Sequence, residues 1–531
     1  MKILKIILLN LLILSSLIAS DLQSDSQELL TNSYSKKETV ILDLTKKYKS
    51  EKKFEYLLQK LLAGDLYYTK SDNQIVFLKE KKENNYLTVD VFSGEKLGEA
   101  SKYDFKKVKI NNKLRNIIKA SLAKINLFST DEDKRLNSAK NLLKNLKPDD
   151  KEIIIEALQS EKSSNIRDVL DEANTILITL YGTAEEKYKA VDKLGGFISS
   201  KTLATLKDVL KNTKDEKLKT IAESSLDIVE IKKSIYSFIE TAFFGLSMGS
   251  VLLLAAIGLA ITFGVMKVIN MAHGELIMIG AYTTYTIQQL FPNFIEYSVI
   301  IAIPVAFIVS GIVGIIIERL VIRYLYGRPL ETLLATFGVS LILQQLVRTI
   351  YSPLNQEVKT PSWMSGAWEV NSSLFLTYNR LYIVIFSVIV FLAILYVMKK
   401  TSLGLKVRAV SQNRPIARAM GIKSSFIDAA TFGIGSGIAG VAGVALSQLT
   451  NVGPNLGQAY IVDSFMVVVF GGVGNLWGTL IAALTLGEIN KFIEPISGAV
   501  LAKVIILVFI ILFIQKRPRG LFPQKGRDAQ D

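Results

Sequence analysis

From Phe238 onward the chain is a succession of apolar runs, each close to the length a helix needs to cross a bilayer. The hydrocarbon core of a bilayer is about 30 Å thick, which takes about 20 apolar residues in a helix. Lipid offers no hydrogen bonds, so every backbone N–H and C=O in such a run must be satisfied within the chain, and runs of this kind become helices. The clear ones are Ala242–Val265, Leu276–Phe291, Val299–Ile317, Leu333–Ile350, Leu381–Met398, Ala429–Leu446 and Leu501–Ile514. Two shorter runs, Asp463–Val473 and Leu480–Ile493, flank a glycine-rich junction and read as tilted or broken helices. The expectation is an α-helical polytopic membrane protein of about eight or nine spans.

The residues before this stretch are of another kind. Half the chain is hydrophobic, yet 21% of it is charged, which points to two unlike parts with a boundary near Lys232-Lys233. Residues 1–20 read as a secretory signal peptide: Lys2 and Lys5, an apolar run from Ile6 to Leu17, then small residues through Ala19-Ser20. Cleaved or kept as an anchor, this segment delivers residues 21–235 to the outer face of a membrane. Residues 21–112 read as a small α/β part, with a helix at Glu55–Leu62, strands at Gln74–Lys79 and Tyr86–Phe92, and a turn at Ser93-Gly94-Glu95.

Residues 113–232 show helical apolar spacing in short segments: Leu114–Phe128, Leu136–Leu146, Lys151–Leu158, Ile166–Leu180, Glu185–Phe197, Thr202–Leu210 and Lys217–Val229. The pieces Arg135-x3-Ala139-x3-Leu143 and Lys187-x2-Ala190-x3-Leu194 repeat at a distance of about 50 residues, which reads as HEAT-like helical pairs. With no histidine and with carboxylates expected on solvated helix faces, this part offers a docking surface rather than a catalytic constellation. Net charge is +15, but the lysines of this half are scattered among acids without a basic stripe, which excludes nucleic acid as a partner. The chain has no cysteine, hence no disulfide and no thiolate metal site, and no other metal site is expected.

Basic residues set an orientation for the apolar half. If residues 21–235 lie outside, nine crossings place the C-terminus inside. The inside loops then carry Arg319, Arg323 and Arg328, the run Lys399 to Lys423, and the tail Lys516, Arg517 and Arg519. The outside loop Tyr351–Tyr378 holds one lysine with Trp363, Trp368 and Tyr378, and 449–460 holds no basic residue. This is the positive-inside pattern with interfacial aromatics.

Three segments carry candidate mechanism. Asn270, His273 and Glu275 interrupt the apolar stretch Gly264–Gly280, and His273 is the chain's one histidine. Ionisable groups at membrane depth are costly and tend to face a bundle interior or an aqueous path. The glycines on either side are expected to let the helix break here. The three side chains either line a path for a small polar solute or satisfy the backbone groups that a break frees.

The loop Lys399–Lys423 has seven basic residues and no acid. Thr401-Ser402 caps one short helix, and Asn413 with Pro415 starts another that stops at Gly421. Two short amphipathic helices on the inner side form either a coupling element that fits a motor subunit's cleft or a basic loop held at anionic lipid headgroups. The spacing Gly433, Gly435, Gly437, Gly440, Gly443 lies inside a span with no strand before it, so it signals close helix packing rather than dinucleotide binding. Gly471, Gly472 and Gly474 mark a tight junction. No GxxxxGK[ST] phosphate loop occurs, so the chain is not expected to hydrolyse ATP and is not read as an enzyme.

Residues 236–523 resemble the permeases of the branched-chain amino acid class of ABC importers. The blocks that carry the resemblance are INMAHGE (Ile269–Glu275), ERL (Glu318–Leu320), GRPLETLLATFGVSLILQQLVR (Gly327–Arg348), the 401–422 loop, GGVGNLWGTL (Gly471–Leu480) and RPRGLF (Arg517–Phe522). Within that class the chain looks like the urea-type permease subunit, including its secreted N-terminal extension.

The resemblance implies a multi-pass protein of the bacterial inner membrane with a periplasmic N-terminal domain and a cytoplasmic C-terminus. Its implied partners are a second permease subunit, two cytoplasmic ATPase subunits and a periplasmic substrate-binding protein. The chain itself then binds no cofactor, and ATP is used by the partners. The importer coupling signature EAA-x3-G-x9-I-x-LP is not present in full, so coupling is assigned to a region that includes Gly404, Arg408, Arg414, Ala419 and Gly421. Urea or a short amide is the implied substrate. The alternatives are a branched-chain amino acid permease of the same class and, from a different class, a membrane-embedded sensor. Urea needs hydrogen-bond partners without counter-ions, whereas a zwitterion needs charge-complementary groups; residue chemistry alone leaves both open.

Overall fold

A computed structural model of the chain describes residues 22–48, 51–82, 85–371 and 373–522; the signal segment lies outside the described residues. The chain divides into two compact units, Met1–Lys232 and Lys233–Asp531.

After a short helical segment that ends in a 3-10 turn at Gln27–Leu30, the first unit has helices α1 (Tyr34–Lys47) and α2 (Lys52–Ala63). Strands β1 (Leu66–Thr69), β2 (Ile75–Lys82), β3 (Asn85–Asp90), β4 (Lys96–Ser101) and β5 (Phe105–Lys107) follow. They form one antiparallel sheet in the order β4-β3-β2-β1-β5. Strands β2 and β3 cover most of the two stretches read as strands, with β2 starting after Gln74 and β3 ending at Asp90, before Val91 and Phe92. Their sequel turns at Ser93-Gly94-Glu95, where Asp90 Oδ1 accepts from the backbone N–H of Phe92 (2.8 Å) and Ser93 (2.7 Å). A short carboxylate that bonds its own backbone two and three residues on is a common way to fix such a turn. On α2, Phe54, Leu57, Leu58 and Leu61 share one face at helical spacing and enter a core with Leu66, Ile75 and Phe77.

Helices α3 (Asn112–Asn126), α4 (Glu132–Lys144), α5 (Lys151–Ser160), α6 (Ser164–Tyr181), α7 (Ala184–Leu194), α8 (Ser200–Asn212) and the start of α9 (Glu216–Met266) complete this unit. Each of the seven segments read from apolar spacing falls on one of them, those ending at Phe128, Leu146 and Phe197 running two or three residues past the helix end. Asn111, Asp131 and Ser199 accept from first-turn N–H groups of the helices that follow them, and Thr183 with Glu186 forms a capping box.

One expectation fails here. Glu172 is not on a solvated face: it is 5% exposed and accepts hydrogen bonds from the hydroxyls of Ser199 and Thr202. Helix α6 is the central helix of this part, with Ile166, Leu170, Glu172, Ala173, Thr175, Ile176, Leu177 and Thr179 all buried. A helix surrounded in this way has little solvated face to give. Burial pushes the Glu172 carboxyl above the usual carboxylate range, against the two hydroxyl donors.

The second unit contains the rest of α9, then α10 (His273–Leu290), α11 (Ile295–Leu320), α12 (Pro329–Tyr351), a hairpin of β6 (Ala367–Asn371) and β7 (Leu374–Thr377), and α13 (Tyr378–Lys400). It continues with α14 (Ser402–Gln412), α15 (Arg414–Ala419), α16 (Ser424–Ser447), α17 (Leu456–Gly471), α18 (Leu476–Ser497) and α19 (Ala499–Lys516). All nine apolar runs are helical except at Phe291 and at residues 472–473, which lie just past α10 and α17. Among the described residues six helices are long and apolar enough to cross a membrane: α9, α11, α12, α13, α16 and α19.

The difference from eight or nine lies in α10, α17 and α18. Helix α17 has 16 residues. Helix α10 carries His273, Glu275 and Gln288, all buried, and α18 carries Glu488, Asn490, Lys491 and Glu494. Side chains of this polarity are tolerated at membrane depth where protein rather than lipid covers them.

Helix α16 is the hub. Its most apolar stretch is 89% buried, against 22% for α13 and 17% for α19. The glycines explain how. A Cβ on Gly435 would stand 2.7 Å from the Gly258 carbonyl oxygen of α9, and one on Gly440 would stand 2.6 Å from the Ala306 carbonyl oxygen of α11. Backbones meet directly, as small residues allow between membrane helices.

Candidate functional site

Helix α9 stops at Met266 and α10 starts at His273, with residues 267–272 non-helical between them. The flanking glycines do not make this break. A Cβ on Gly264 would stand 2.5 Å from Gly474 Cα, and one on Gly274 would stand 2.5 Å from the Gly457 carbonyl oxygen. They are there for close approach to other segments. The left-handed residue at the break is Lys267, with φ +52°.

Some of the groups freed at the break find partners, near in sequence and on α12. Asn270 Oδ1 accepts from Ala272 N–H (3.0 Å), and Thr336 Oγ1 on α12 accepts from Met271 N–H (3.1 Å). His273 Nε2 lies 3.0 Å from the Ala255 carbonyl oxygen of α9. A carbonyl only accepts, so Nε2 carries the proton and donates. Glu275 Oε1 accepts from Ser340 Oγ (2.9 Å) and Gln344 Nε2 (2.7 Å), both on α12. Asn270, His273 and Glu275 are each at most 1% exposed. They are close in sequence but diverge in space: Asn270 serves the break, His273 faces α9, and Glu275 faces α12. Among the described residues Glu275 Oε2, Asn270 Nδ2 and His273 Nδ1 are all buried with no hydrogen-bond partner.

Glu275 meets a feature that the sequence reading missed. Thr332, Thr336, Ser340 and Gln344 are all buried and recur every fourth residue along α12, so they share one face. One step further, Arg348 donates to Asn455 Oδ1 (2.8 Å). Beyond Gln344 the seam becomes aromatic. The Tyr282 and Tyr351 ring centroids are 4.7 Å apart, and Tyr285 packs edge-on against both. The Tyr282 hydroxyl is buried without a partner among the described residues, while Tyr351 hydroxyl and Thr286 Oγ1 are 2.7 Å apart. A polar and aromatic seam therefore runs between α10 and α12 from the helix break to Tyr351. The four-residue spacing was visible in the sequence, but its partner lies about 65 residues earlier in the chain.

The loop 399–423 folds as two short helices. Thr401 Oγ1 accepts from Gly404 N–H (3.3 Å), Asn413 Oδ1 accepts from Ile416 N–H (3.0 Å), and Pro415 sits in the first turn of α15. Gly421 takes φ +82° just past α15. Gly404 abuts the Met398 carbonyl too closely for a side chain, and Arg408 donates to that same carbonyl. Arg414 turns inward: it forms a two-pronged pair with buried Asp428 (2.8 and 2.9 Å) and lies 4.8 Å over the Tyr326 ring. Tyr326 in turn donates to Glu318 (2.8 Å). The outward face is mixed: Leu405, Ile416, Ala419, Met420 and Gly421 are exposed beside Lys406, Arg408, Arg418 and Lys423.

At the glycine junction, Gly472 and Gly474 take φ +102° and +77° between α17 and α18, and Asn475 caps α18. The tail after α19 folds back onto it. Leu521 N–H donates to Phe470 O (2.9 Å), Phe522 N–H to Gly471 O (3.2 Å), and Asn475 Nδ2 to Phe522 O (3.1 Å). A Cβ on Gly472 would stand 2.6 Å from Phe522 O, so the blocks around Gly471 and Arg517 form one structural piece.

Residues 241–514, just over half of the chain, match the family described as branched-chain amino acid transport system, permease component. The chain belongs to this family. It is 29% identical over 297 residues to the high-affinity branched-chain amino acid transport system permease protein BraD of Pseudomonas aeruginosa, covering 54% of this chain and 96% of that protein. It is 30% identical over 294 residues to the corresponding LivH protein of Salmonella typhimurium, with 54% and 95% covered. A probable LivH permease of Methanocaldococcus jannaschii is 29% identical over 283 residues, with 51% and 88% covered. No solved structure matches the chain. The urea reading gains no support from these findings, which back the branched-chain amino acid alternative better. The break, the seam and the coupling loop all lie inside the matched residues; the first unit lies before them.

Proposed function

We propose that this chain is the permease subunit of an ATP-driven importer of branched-chain amino acids in a bacterial inner membrane. The observation that carries the substrate class is Glu275. One of its carboxylate oxygens is held by Ser340 and Gln344, and the other is buried with no partner at a helix break. A buried acceptor left open in this way suits an α-ammonium donor, which neutral urea lacks. The Tyr282, Tyr285 and Tyr351 cluster further along the seam gives an apolar surface for an aliphatic side chain. Asn270 Nδ2 and His273 Nδ1 are also without partners, but neither offers the negative charge an ammonium needs; in this reading they hold the break and Glu275 meets the ammonium.

The partners follow from the family: a second permease, two ATPase subunits that use the ATP, and a periplasmic substrate-binding protein. Helices α14 and α15 present Leu405, Ile416, Ala419 and Met420 to an ATPase subunit, while Arg414 transmits its movement to α16 through Asp428. Gly404 and Arg408 fasten α14 to the end of α13, and Gly421 ends α15. In this reading the coupling face and the C-terminus lie in the cytoplasm and the first unit in the periplasm, a topology that the basic loops favour.

Cells that lack their own branched-chain uptake and express the whole transporter test the proposal with labelled leucine and labelled urea. Leucine uptake that depends on ATP and resists excess urea supports it. Urea accumulation without leucine uptake overturns it.

A further inference from the structure

The first unit carries an open groove of about 410 Å³ in its sheet part, outside everything the permease reading uses. Its floor is apolar: Phe77 from β2, Val89 from β3, and Val91 and Phe92 from the following turn, each under 10% exposed. Tyr56 of α2 forms one wall, edge-on to Phe77 with ring centroids 5.7 Å apart. The rim is cationic. Lys52 and Lys53 come from the first turn of α2, Lys79 from β2 and Lys96 from the start of β4, and no carboxylate lines the groove. Lys60 adds a fifth ammonium, 4.4 Å from the Phe77 ring centroid.

These lysines are not spent on ion pairs: among the described residues Lys52, Lys53, Lys79 and Lys96 form none. Their placement also works against local stability. Like charges gathered at one rim repel, and Lys52 and Lys53 stand at the positive end of the α2 dipole, where acids are normally favoured. Glu51, at the N-cap position, makes no side-chain cap hydrogen bond, and Glu55 is the one acid of the first turn. A local conflict of this kind is expected where a surface is kept for binding. Beside the groove, β4 is the edge strand of the sheet and is exposed from Lys96 to Glu99, so one row of its backbone groups is open to an extended chain.

We propose that this groove docks an acidic, extended peptide segment of a partner protein. Its carboxylates pair with Lys52, Lys53, Lys79 and Lys96, and one aromatic or branched aliphatic side chain rests on the Phe77–Phe92 floor. Several cations around a floor sized for one or two side chains fit several carboxylates flanking an apolar anchor better than they fit a single small anion.

The test uses the full chain in detergent micelles and a fluorescein-labelled pentapeptide of four acidic residues around a central phenylalanine, read by anisotropy. Binding is expected to weaken at least about tenfold in the Lys52→Glu/Lys96→Glu double variant, and by severalfold when the central phenylalanine is replaced by glycine. It is expected to stay unchanged in Lys211→Glu, an exposed lysine elsewhere in the unit. A separate Tyr56→Ser variant is expected to weaken the phenylalanine peptide and leave the glycine peptide as it was. Three results overturn the proposal: no binding, equal loss in Lys211→Glu, or a poly-thymidine strand binding more tightly than the peptide.

Discussion

The two units of this chain solve the same packing problem by opposite means. In the first, helices meet through large side chains such as Phe54, Leu57, Leu58 and Leu61, which leave water when the unit folds. In the second, helices meet backbone to backbone at glycines and through buried polar pairs such as Glu275 with Ser340 and Gln344. The solvent explains the difference. Apolar side chains gain about 25 cal/mol for each Å² taken out of water, but next to nothing when moved from lipid into protein. Membrane helices are left with close contact and hydrogen bonds as their reasons to associate. Glycine, a helix-weakening residue in one unit, is therefore the packing residue of the other.

The comparison is broken or sharpened by one substitution placed in both units. Gly440→Ala sets a Cβ against the Ala306 carbonyl oxygen and Ser310, neither of which is a flexible chain end. Its expected outcome is loss of the folded permease, read as protease sensitivity and low accumulation in membranes. Gly94→Ala, in a turn with φ +72° and open space around it, is expected to lower stability by only about 1 kcal/mol. Equal effects at the two positions would break the comparison.

Phe54→Ala probes the side-chain route and is expected to cost about 3–5 kcal/mol, seen as new proteolytic cleavage within the first unit. Arg414→Lys keeps the charge but removes the two-pronged geometry on Asp428; a loss of about 1 kcal/mol is expected, read as severalfold weaker coupling of ATP hydrolysis to uptake.

The smallest effect concerns Glu172. Its folded carboxyl holds its proton more tightly than the unfolded one, so the folded state binds more protons and stability falls as pH rises from about 4.5 through the raised folded value. Glu172→Gln keeps an acceptor for Ser199 and Thr202 and removes this term. Thermal unfolding of the first unit between pH 4.5 and 7 is expected to become flatter, with the variant the more stable at pH 7.

What was legible in the sequence was whatever depends on neighbours along the chain. Apolar runs became helices, Thr401 and Asn413 became caps, and two β-rich stretches became β2 and β3. What was not legible depends on partners far away. Thr332, Thr336, Ser340 and Gln344 gain meaning only beside Glu275, and the Gly471 junction only beside Leu521 and Phe522. The glycines near the break were misread because a glycine at a helix break and one at a helix crossing look alike in one dimension. The break fell at Lys267, whose side chain gives no hint of a left-handed backbone. Glu172 was misplaced because segment-by-segment spacing does not reveal which helix the others surround.

The central claim is that the open oxygen of Glu275 receives the ammonium of an amino acid. The most direct test is leucine uptake by proteoliposomes holding the whole transporter, with Glu275→Gln beside the unaltered chain. The substitution keeps the acceptor for Ser340 and Gln344 and removes the charge. At equal assembly, uptake at low leucine is expected to fall at least about tenfold, a difference of about 1.4 kcal/mol. Unchanged uptake would contradict the account and leave Glu275 with a structural role only.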